Sequence, residues 1–252
     1  MEIFHNFTLL HDDVMDKADV RRGSPTVHKK WNENTAILSG DGMLVLAYQY
    51  LAQCNPSYLK QLLDLANDTF IGITDGQQFD MDFETRNDVS ELEYLEMIRL
   101  KTSILLAACL KMGAILGGAS EEDANLLYSF GEKLGLAFQL QDDLLDVYGD
   151  VKVFGKRIGG DIVCNKKTYM YINTCLLASD EERAILAKWA QYEGDDVDAK
   201  IEAVKGVYDS VGIKGKAEAK IEELFNEAMS LLNKVSVLEE KKSVLREYAL
   251  SL

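Results

Sequence analysis

A chain of 252 residues, 47% of them apolar, has the material for a substantial hydrophobic core, and its formal charge of −15 excludes a surface built for nucleic acid or an anionic membrane. With only Pro25 and Pro56 able to break helices firmly, long helices are permitted through most of the sequence. Cys54, Cys109, Cys164 and Cys175 show no CxxC spacing and lie in or near apolar, helix-like sequence, as reduced, packed thiols of a cytoplasmic protein do. No uncharged apolar run reaches the roughly 18 residues of a membrane span, and "MEIFHNFTLL" lacks the basic region and cleavage site of a signal peptide, so the sequence reads as soluble and unexported.

Apolar residues recur at helical rather than alternating spacing, which predicts helices over 2–17, 34–53, 57–84, 90–116, 121–148, 166–177, 180–191, 197–210 and 215–251, the last breaking near Val235. No Asn-Gly or Asp-Gly turn joins two period-two runs, so strands have little support. Ser90 with Glu93 forms a capping box at the start of the fourth helix, and Gly117-Gly118 ends it. "RRGSPT", "GDVKVFGKRIGGD" and "YEGDDVD" read as loops. Because no shift in composition marks a linker, the expectation is one all-α domain over residues 1–252, a helical bundle.

Two segments are alike. "LLHDDVMD" at residues 9–16 and "QLQDDLLD" at residues 139–146 share Leu-x-Asp-Asp-apolar-apolar-Asp. On a helix Asp12 and Asp16 lie one turn apart with Asp13 about 100° round from Asp12, so the three carboxylates occupy one arc; Asp142, Asp143 and Asp146 repeat the arrangement. His5 and Thr8 continue a polar stripe from the first box, which a merely solvated acidic face also explains. Around the second box Leu134, Leu136, Phe138, Leu140, Leu144, Leu145, Val147 and Tyr148 cover most of the helix, predicting burial on nearly all sides and a polar strip of Gln139, Asp142 and Asp146 facing inward. Gly131 and Gly135 precede that strip; they either leave room for a ligand or permit close helix packing. Carboxylates crowded at a cavity repel one another unless a cation compensates, and oxygen-only donors suit Mg²⁺ shared with substrate phosphates. A di-iron bundle needs Glu-x-x-His pairs, which none of His5, His11 and His28 completes.

Basic residues follow each box. Arg21 and Arg22 come after the first; Lys152, Lys156, Arg157, Lys166 and Lys167 come after the second, among Gly155, Gly159 and Gly160. In so acidic a chain this clustering fits phosphate oxygens, since arginine forks and glycine-exposed backbone N–H groups both bind them, although any single lysine here serves equally well as a solvated surface charge. Lys101 opens the apolar run "SILLAACLKMGAIL", which places it near the interior and calls for an anionic partner.

With these residues in hand the sequence resembles the trans-polyprenyl diphosphate synthases, the chain-elongating prenyltransferases that include farnesyl and geranylgeranyl diphosphate synthases. The resemblance runs over essentially the whole chain. "HNFTLLHDDVMDKADVRRGSPTVH" resembles the family's first aspartate-rich region, "GQQFDMDFE" its middle helix, "YLEMIRLKTSILL" its Lys-Thr motif, and "FQLQDDLLDVYGD" with "FGKRIGGDIVCNKKT" its second aspartate-rich region and following loop. The resemblance implies an isoprenoid-synthase bundle around a central cavity. It implies Mg²⁺ held by Asp12, Asp16 and Asp142, with Asp13, Asp143 and Asp146 completing the carboxylate walls. It implies an allylic diphosphate held by Arg21, Lys101, Thr102, Gln139, Lys156 and Lys166, and isopentenyl diphosphate contacted by His5 and Arg22. Asp12, Asp142 and Lys101 are then the catalytic residues, the cations stabilising charge on the departing diphosphate. Family members are homodimers. Phe7 and Thr8, five and four positions before Asp12, correspond to side chains that close the tail pocket, and an aromatic there implies a short product of C15 to C20.

The family normally begins with further N-terminal helices carrying a Gly-Lys-Arg motif, which this sequence, starting at "MEIFHNF", is expected to lack. Two other readings follow from that departure and from the boxes themselves. One is a non-catalytic or truncated synthase-like subunit that works through a partner. The other is a class I terpene cyclase, which "QDDLLD" disfavours because cyclases usually replace the second box.

Overall fold

The computed structural model describes residues 1–150, 158–192 and 194–251, and these are almost entirely helical, as the apolar periodicity requires. They pack as two compact units, Met1–Leu65 and Ala66–Leu252, the division falling within one long helix, α4 (Pro56–Thr85). Pro56 opens that helix at the position where a missing N–H costs nothing.

In the first unit α1 (Glu2–Met15) lies against α3 (Glu33–Leu51), with α2 (Val27–Lys30) between them in sequence. Phe4 and Ala36 are buried at that contact. "RRGSPT" is not an irregular loop. Val20–Arg21 (β1) and Ser24–Pro25 (β2) form a small antiparallel ladder pairing Val20 with Pro25 and Arg21 with Ser24. Its two turn residues, Arg22 at φ 52° and Gly23 at φ 76°, both take the left-handed conformation of a primed hairpin turn. Arg22-Gly23 thus does the work of the Asn-Gly pair that the sequence lacks. The buried Thr26 hydroxyl closes the segment by donating to the Ala18 carbonyl at 2.6 Å.

The second unit contains the rest of α4, then α5 (Glu91–Ile98), α6 (Ile104–Leu116), α7 (Glu121–Tyr148), α8 (Gly160–Val163), α9 (Tyr169–Leu177), α10 (Asp180–Ala190), α11 (Val197–Ser210), α12 (Ile213–Lys234) and α13 (Glu239–Leu250). The Ser90–Glu93 capping box forms in both directions. Gly117 and Gly118 close α6 with the paired bonds of a Schellman motif, Gly118 N to Ile115 O and Ala119 N to Ala114 O. α7 is the axis of the unit, packed along α6 on one side and α12 on another. Phe130, Leu134, Ala228, Leu232 and Ala249 fill one part of its surroundings, and Tyr94, Ile98, Leu140, Leu144, Met170, Val207 and Ile213 belong to a larger cluster.

The helix expected over 90–116 is interrupted. Between α5 and α6, Arg99–Ser103 forms a π-helical turn in which Ile104 N–H donates to Arg99 O, five residues back. Glycines on two neighbouring helices touch this turn. A Cβ on Gly76 of α4 would stand 2.4 Å from Lys101 N, and one on Gly135 of α7 would stand 2.7 Å from Ser103 Cα. Gly131 likewise abuts Ala107 Cα at 2.8 Å. Close helix packing, and not space for a ligand, is therefore what Gly131 and Gly135 provide. The predicted burial of α7 on nearly all sides also needs correction at Phe138, which is 43% exposed. α9 starts at Tyr169 rather than 166, because the Thr168 side chain caps it and Asn165, at φ 55°, turns the chain beforehand.

Candidate active site

The first box ends α1. Asp12 is half-buried, Asp13 is 5% exposed, and Asp16 is the exposed C-cap. The hairpin brings Arg21 back over the helix, where Nε donates to Asp13 Oδ1 at 2.8 Å and Nη2 to Asp12 Oδ2 at 3.2 Å. One guanidinium thus serves both carboxylates through a charge-assisted fork. Arg22, in the turn, is exposed. His5 lies only within 4.0 Å of Glu2, and the Thr8 hydroxyl donates to the His5 carbonyl at 2.8 Å, so neither extends a shared polar network with the aspartates. Phe7 is half-buried, its ring 5.4 Å from that of Phe4 and edge-on to His11 at 4.8 Å.

The second box lies near the C-terminal end of α7 and is served differently. Asp143 is 5% exposed, and both of its oxygens are occupied: the Tyr94 hydroxyl of α5 donates to Oδ2, and Gln139 Nε2 donates to Oδ1 at 3.1 Å. Gln139 Oε1 in turn accepts from the Thr102 hydroxyl of the π turn at 3.1 Å. Asp142 and Asp146 are half-buried. Asp146 Oδ2 accepts from Asp161 N at 2.9 Å, and its carbonyl accepts from Gly159 N at 2.5 Å, so the start of α8 folds onto the end of α7.

These carboxyls are buried and lie close to one another. Burial, and then the charges of Asp161 and Asp142, push the Asp143 carboxyl up to about 7, although its bonds from Tyr94 and Gln139 act the other way. Burial likewise lifts Asp161 to about 6 against the nearby Lys166, with Asp146 and Asp142 adding to the rise. Asp146 is raised too, chiefly by burial. Two lysines lie alongside: Lys166 Nζ is 3.6 Å from Asp161 Oδ1, and Lys101 Nζ is 2.5 Å from Asp80 Oδ2 in α4. The anionic partner that the burial of Lys101 demanded is therefore Asp80, from "GQQFDMDFE". Lys156, with Lys152 and Arg157, lies outside the described residues.

Among the described residues no three His, Cys, Asp or Glu side chains converge as a ready-made metal cage. The donors that are present are hard carboxylate oxygens on helical turns, and in the second box burial and then neighbouring carboxylates raise Asp143, Asp146 and Asp161. Such a set fits a divalent cation that takes one or two carboxylates and completes its shell with water and phosphate oxygens, the habit of Mg²⁺.

A family model described as polyprenyl synthetase matches residues 1–207. The chain belongs to the polyprenyl synthetase family. A geranylgeranyl diphosphate synthase of Methanosarcina mazei is 47% identical over 175 residues, which are 69% of this chain and 54% of that protein. A crystal structure of a geranylgeranyl pyrophosphate synthase superposes with a TM-score of 0.94 at 44% identity, covering 99% of this chain and 77% of that one. A geranylgeranyl pyrophosphate synthase from Corynebacterium glutamicum, complexed with isoprenyl diphosphate and magnesium, gives a TM-score of 0.89 at 27% identity, covering 99% of this chain and 75% of the other. The chain spans little more than half the length of the M. mazei relative. Its all-α architecture is that of the isoprenyl synthases.

Three residues of the candidate site of this polyprenyl synthetase family member escaped sequence reasoning. Asp161 follows the glycine pair 159–160 and joins the acidic crowd; "GGD" beside a phosphate-like loop was the available signal. Asp80 was implied by Lys101 without being located. Tyr94 carried no signal beyond an apolar helical position. No helix among the described residues is long and apolar enough to cross a membrane.

Proposed function

We propose that this chain, acting as one synthase domain, is a magnesium-dependent prenyltransferase that condenses isopentenyl diphosphate with an allylic diphosphate to a prenyl diphosphate of C15 to C20. The observation that carries the reading is the oxygen-only acidic wall at the end of α7, flanked by Lys101 and Lys166, in a member of the polyprenyl synthetase family. The named relatives, geranylgeranyl diphosphate synthases among them, support the substrate class.

Asp12, Asp16 and Asp142 are the candidate magnesium ligands, with Asp146 reaching the ions directly or through water. Bound there, magnesium supplies Lewis-acid stabilisation of the leaving diphosphate. Lys101 is a fixed point charge on a turn that two glycines hold in place, so its ammonium needs little reorganisation to meet developing negative charge. Arg21 can exchange part of its fork from carboxylate to phosphate oxygens, and Lys166 with Thr102 and Gln139 completes the donors for the allylic diphosphate. Ionisation leaves an allylic cation, which the double bond of isopentenyl diphosphate attacks; His5 and Arg22 are assigned to that second substrate. No histidine or cysteine is assigned the final proton, which passes to the released diphosphate.

Phe7, packed against the rings of Phe4 and His11, is the candidate stop for the growing tail. The active form is proposed to be a cytoplasmic homodimer. Incubation with Mg²⁺, isopentenyl diphosphate and allylic diphosphates of increasing length, followed by mass analysis, tests the whole reading. Products of C15 to C20 are expected; absence of elongation with every primer contradicts it.

A further inference from the structure

We propose that Tyr94 is a positioning residue of the second acidic box: it holds Asp143 as an internal anchor and, through Gln139, fixes Thr102. This rests on the proposed magnesium and diphosphate site but assigns a part of it that the boxes alone do not reveal.

Tyr94 is 3% exposed and stands on α5, a helix that carries none of the aspartates. Its hydroxyl donates to Asp143 Oδ2 while Gln139 Nε2 donates to Oδ1, so both oxygens of the carboxylate are consumed by protein donors. The chain continues from Gln139 Oε1 to the Thr102 hydroxyl. Four side chains on three pieces of backbone, α5, the π turn and α7, are thereby bound into one line. The first box shows the same division of labour: Asp13, its middle member, is as buried as Asp143 and is taken by Arg21 Nε. In both boxes the flanking aspartates keep more exposure. The middle carboxylate fixes the helix, and its more exposed neighbours are the candidate ion ligands.

Removing the Tyr94 hydroxyl strips one donor from a carboxylate that is only 5% exposed. Asp143 then turns toward another donor or cation. Gln139 loses its fixed acceptor, and Thr102 its orientation. Replacing Asp143 by asparagine is milder for an anchor. Tyr94 can donate to the new amide oxygen, and Gln139 can flip so that it accepts from the new amide nitrogen and donates to Thr102. A metal ligand would not survive that exchange.

The test is calorimetric titration of inorganic pyrophosphate with Mg²⁺ into the full chain and its variants, with melting temperatures recorded in EDTA. Tyr94→Phe is expected to weaken pyrophosphate binding about tenfold, whereas Tyr208→Phe, at another fully buried tyrosine of the same core cluster, leaves it unchanged. Asp143→Asn is expected to stay within about threefold of the parent while Asp142→Asn loses about a hundredfold or more. Loss in Asp143→Asn equal to that in Asp142→Asn overturns the anchor, as does Tyr94→Phe with unaltered affinity. Should the parent protein bind no magnesium pyrophosphate, the functional reading fails, and the metal-free melts still decide this one. Tyr94→Phe then lowers the melting temperature in the Asp143 background and has no further effect in Asp143→Ala; equal shifts in both backgrounds refute the anchor.

Discussion

The two acidic boxes have nearly the same sequence and different partners. On α1 a guanidinium holds the buried carboxylate, with Arg21 bonded to Asp12 and Asp13 at once. On α7 the corresponding carboxylate meets neutral donors, the Tyr94 hydroxyl and the Gln139 amide, which solvate the charge without cancelling it. Burial first, and then the neighbouring carboxylates, push Asp143 up to about 7 and Asp161 up to about 6. A repeated motif therefore fixes geometry but not the partners of its carboxylates: among the described residues the buried aspartate of α7 is held by neutral groups where that of α1 is held by a cation.

The sharpest way to break this contrast is to remove a proposed ligand from each box. Asp12→Ala and Asp142→Ala are both expected to lower turnover by about a thousandfold or more, with helical circular dichroism unchanged; full turnover in either variant removes that box from the site. Next in size is Arg21→Gln, which leaves the buried Asp13 without its cation. It is expected to cost about 3 kcal/mol in denaturant unfolding, because an unpaired buried carboxylate is expensive. No comparable loss means the pairing on α1 is only a surface bond. Gly135→Ala comes third, with an expected cost of about 2 kcal/mol from overpacking against Ser103, whereas Gly113→Ala, which meets nothing within 4 Å, is expected to be neutral or slightly stabilising.

The pH dependence of the metal-free protein follows from the α7 box. Asp143 and Asp161 hold their protons in the folded state up to about 7 and about 6, while in the unfolded chain they release them near the ordinary carboxylate value. The stabilisation linked to these protons is complete below the unfolded value and is lost as pH rises through 6 to 7. The melting temperature in EDTA is accordingly expected to fall by roughly 5 °C between pH 5 and pH 8. Saturating Mg²⁺ with pyrophosphate is expected to flatten that fall; a fall of the same size in both conditions contradicts the claim that a cation relieves the box. The smallest effect is in product distribution. Phe7→Ala is expected to extend the product by one or two isoprene units, read by mass spectrometry, and an unchanged distribution rejects Phe7 as the stop.

Much of the fold was legible because helical periodicity and caps act locally. α7 matches its predicted range end to end, and Ser90, Glu93, Gly117 and Gly118 do what their residue types dictate. The candidate acidic residues could be picked out for the same reason, since helical spacing alone marks Asp12, Asp13 and Asp16 and Asp142, Asp143 and Asp146. What was hidden depends on contacts between segments distant in sequence. The π turn at Arg99–Ser103 has no sequence mark of its own and is recognised only with Gly76 and Gly135 packed against it. The hairpin at Val20–Pro25 was missed because its turn places an arginine at a left-handed position usually taken by asparagine or glycine. Tyr94 and Asp161 were invisible because a tyrosine in an apolar helix and an aspartate after two glycines reveal their partners only when α5 and α8 fold onto α7.

The most direct measurement is calorimetric titration of pyrophosphate into the unaltered protein, once with Mg²⁺ and once in EDTA. Saturable binding that needs the metal is predicted, with none in EDTA. Equal binding in both, or none in either, contradicts the view that these aspartates exist to hold magnesium against a diphosphate.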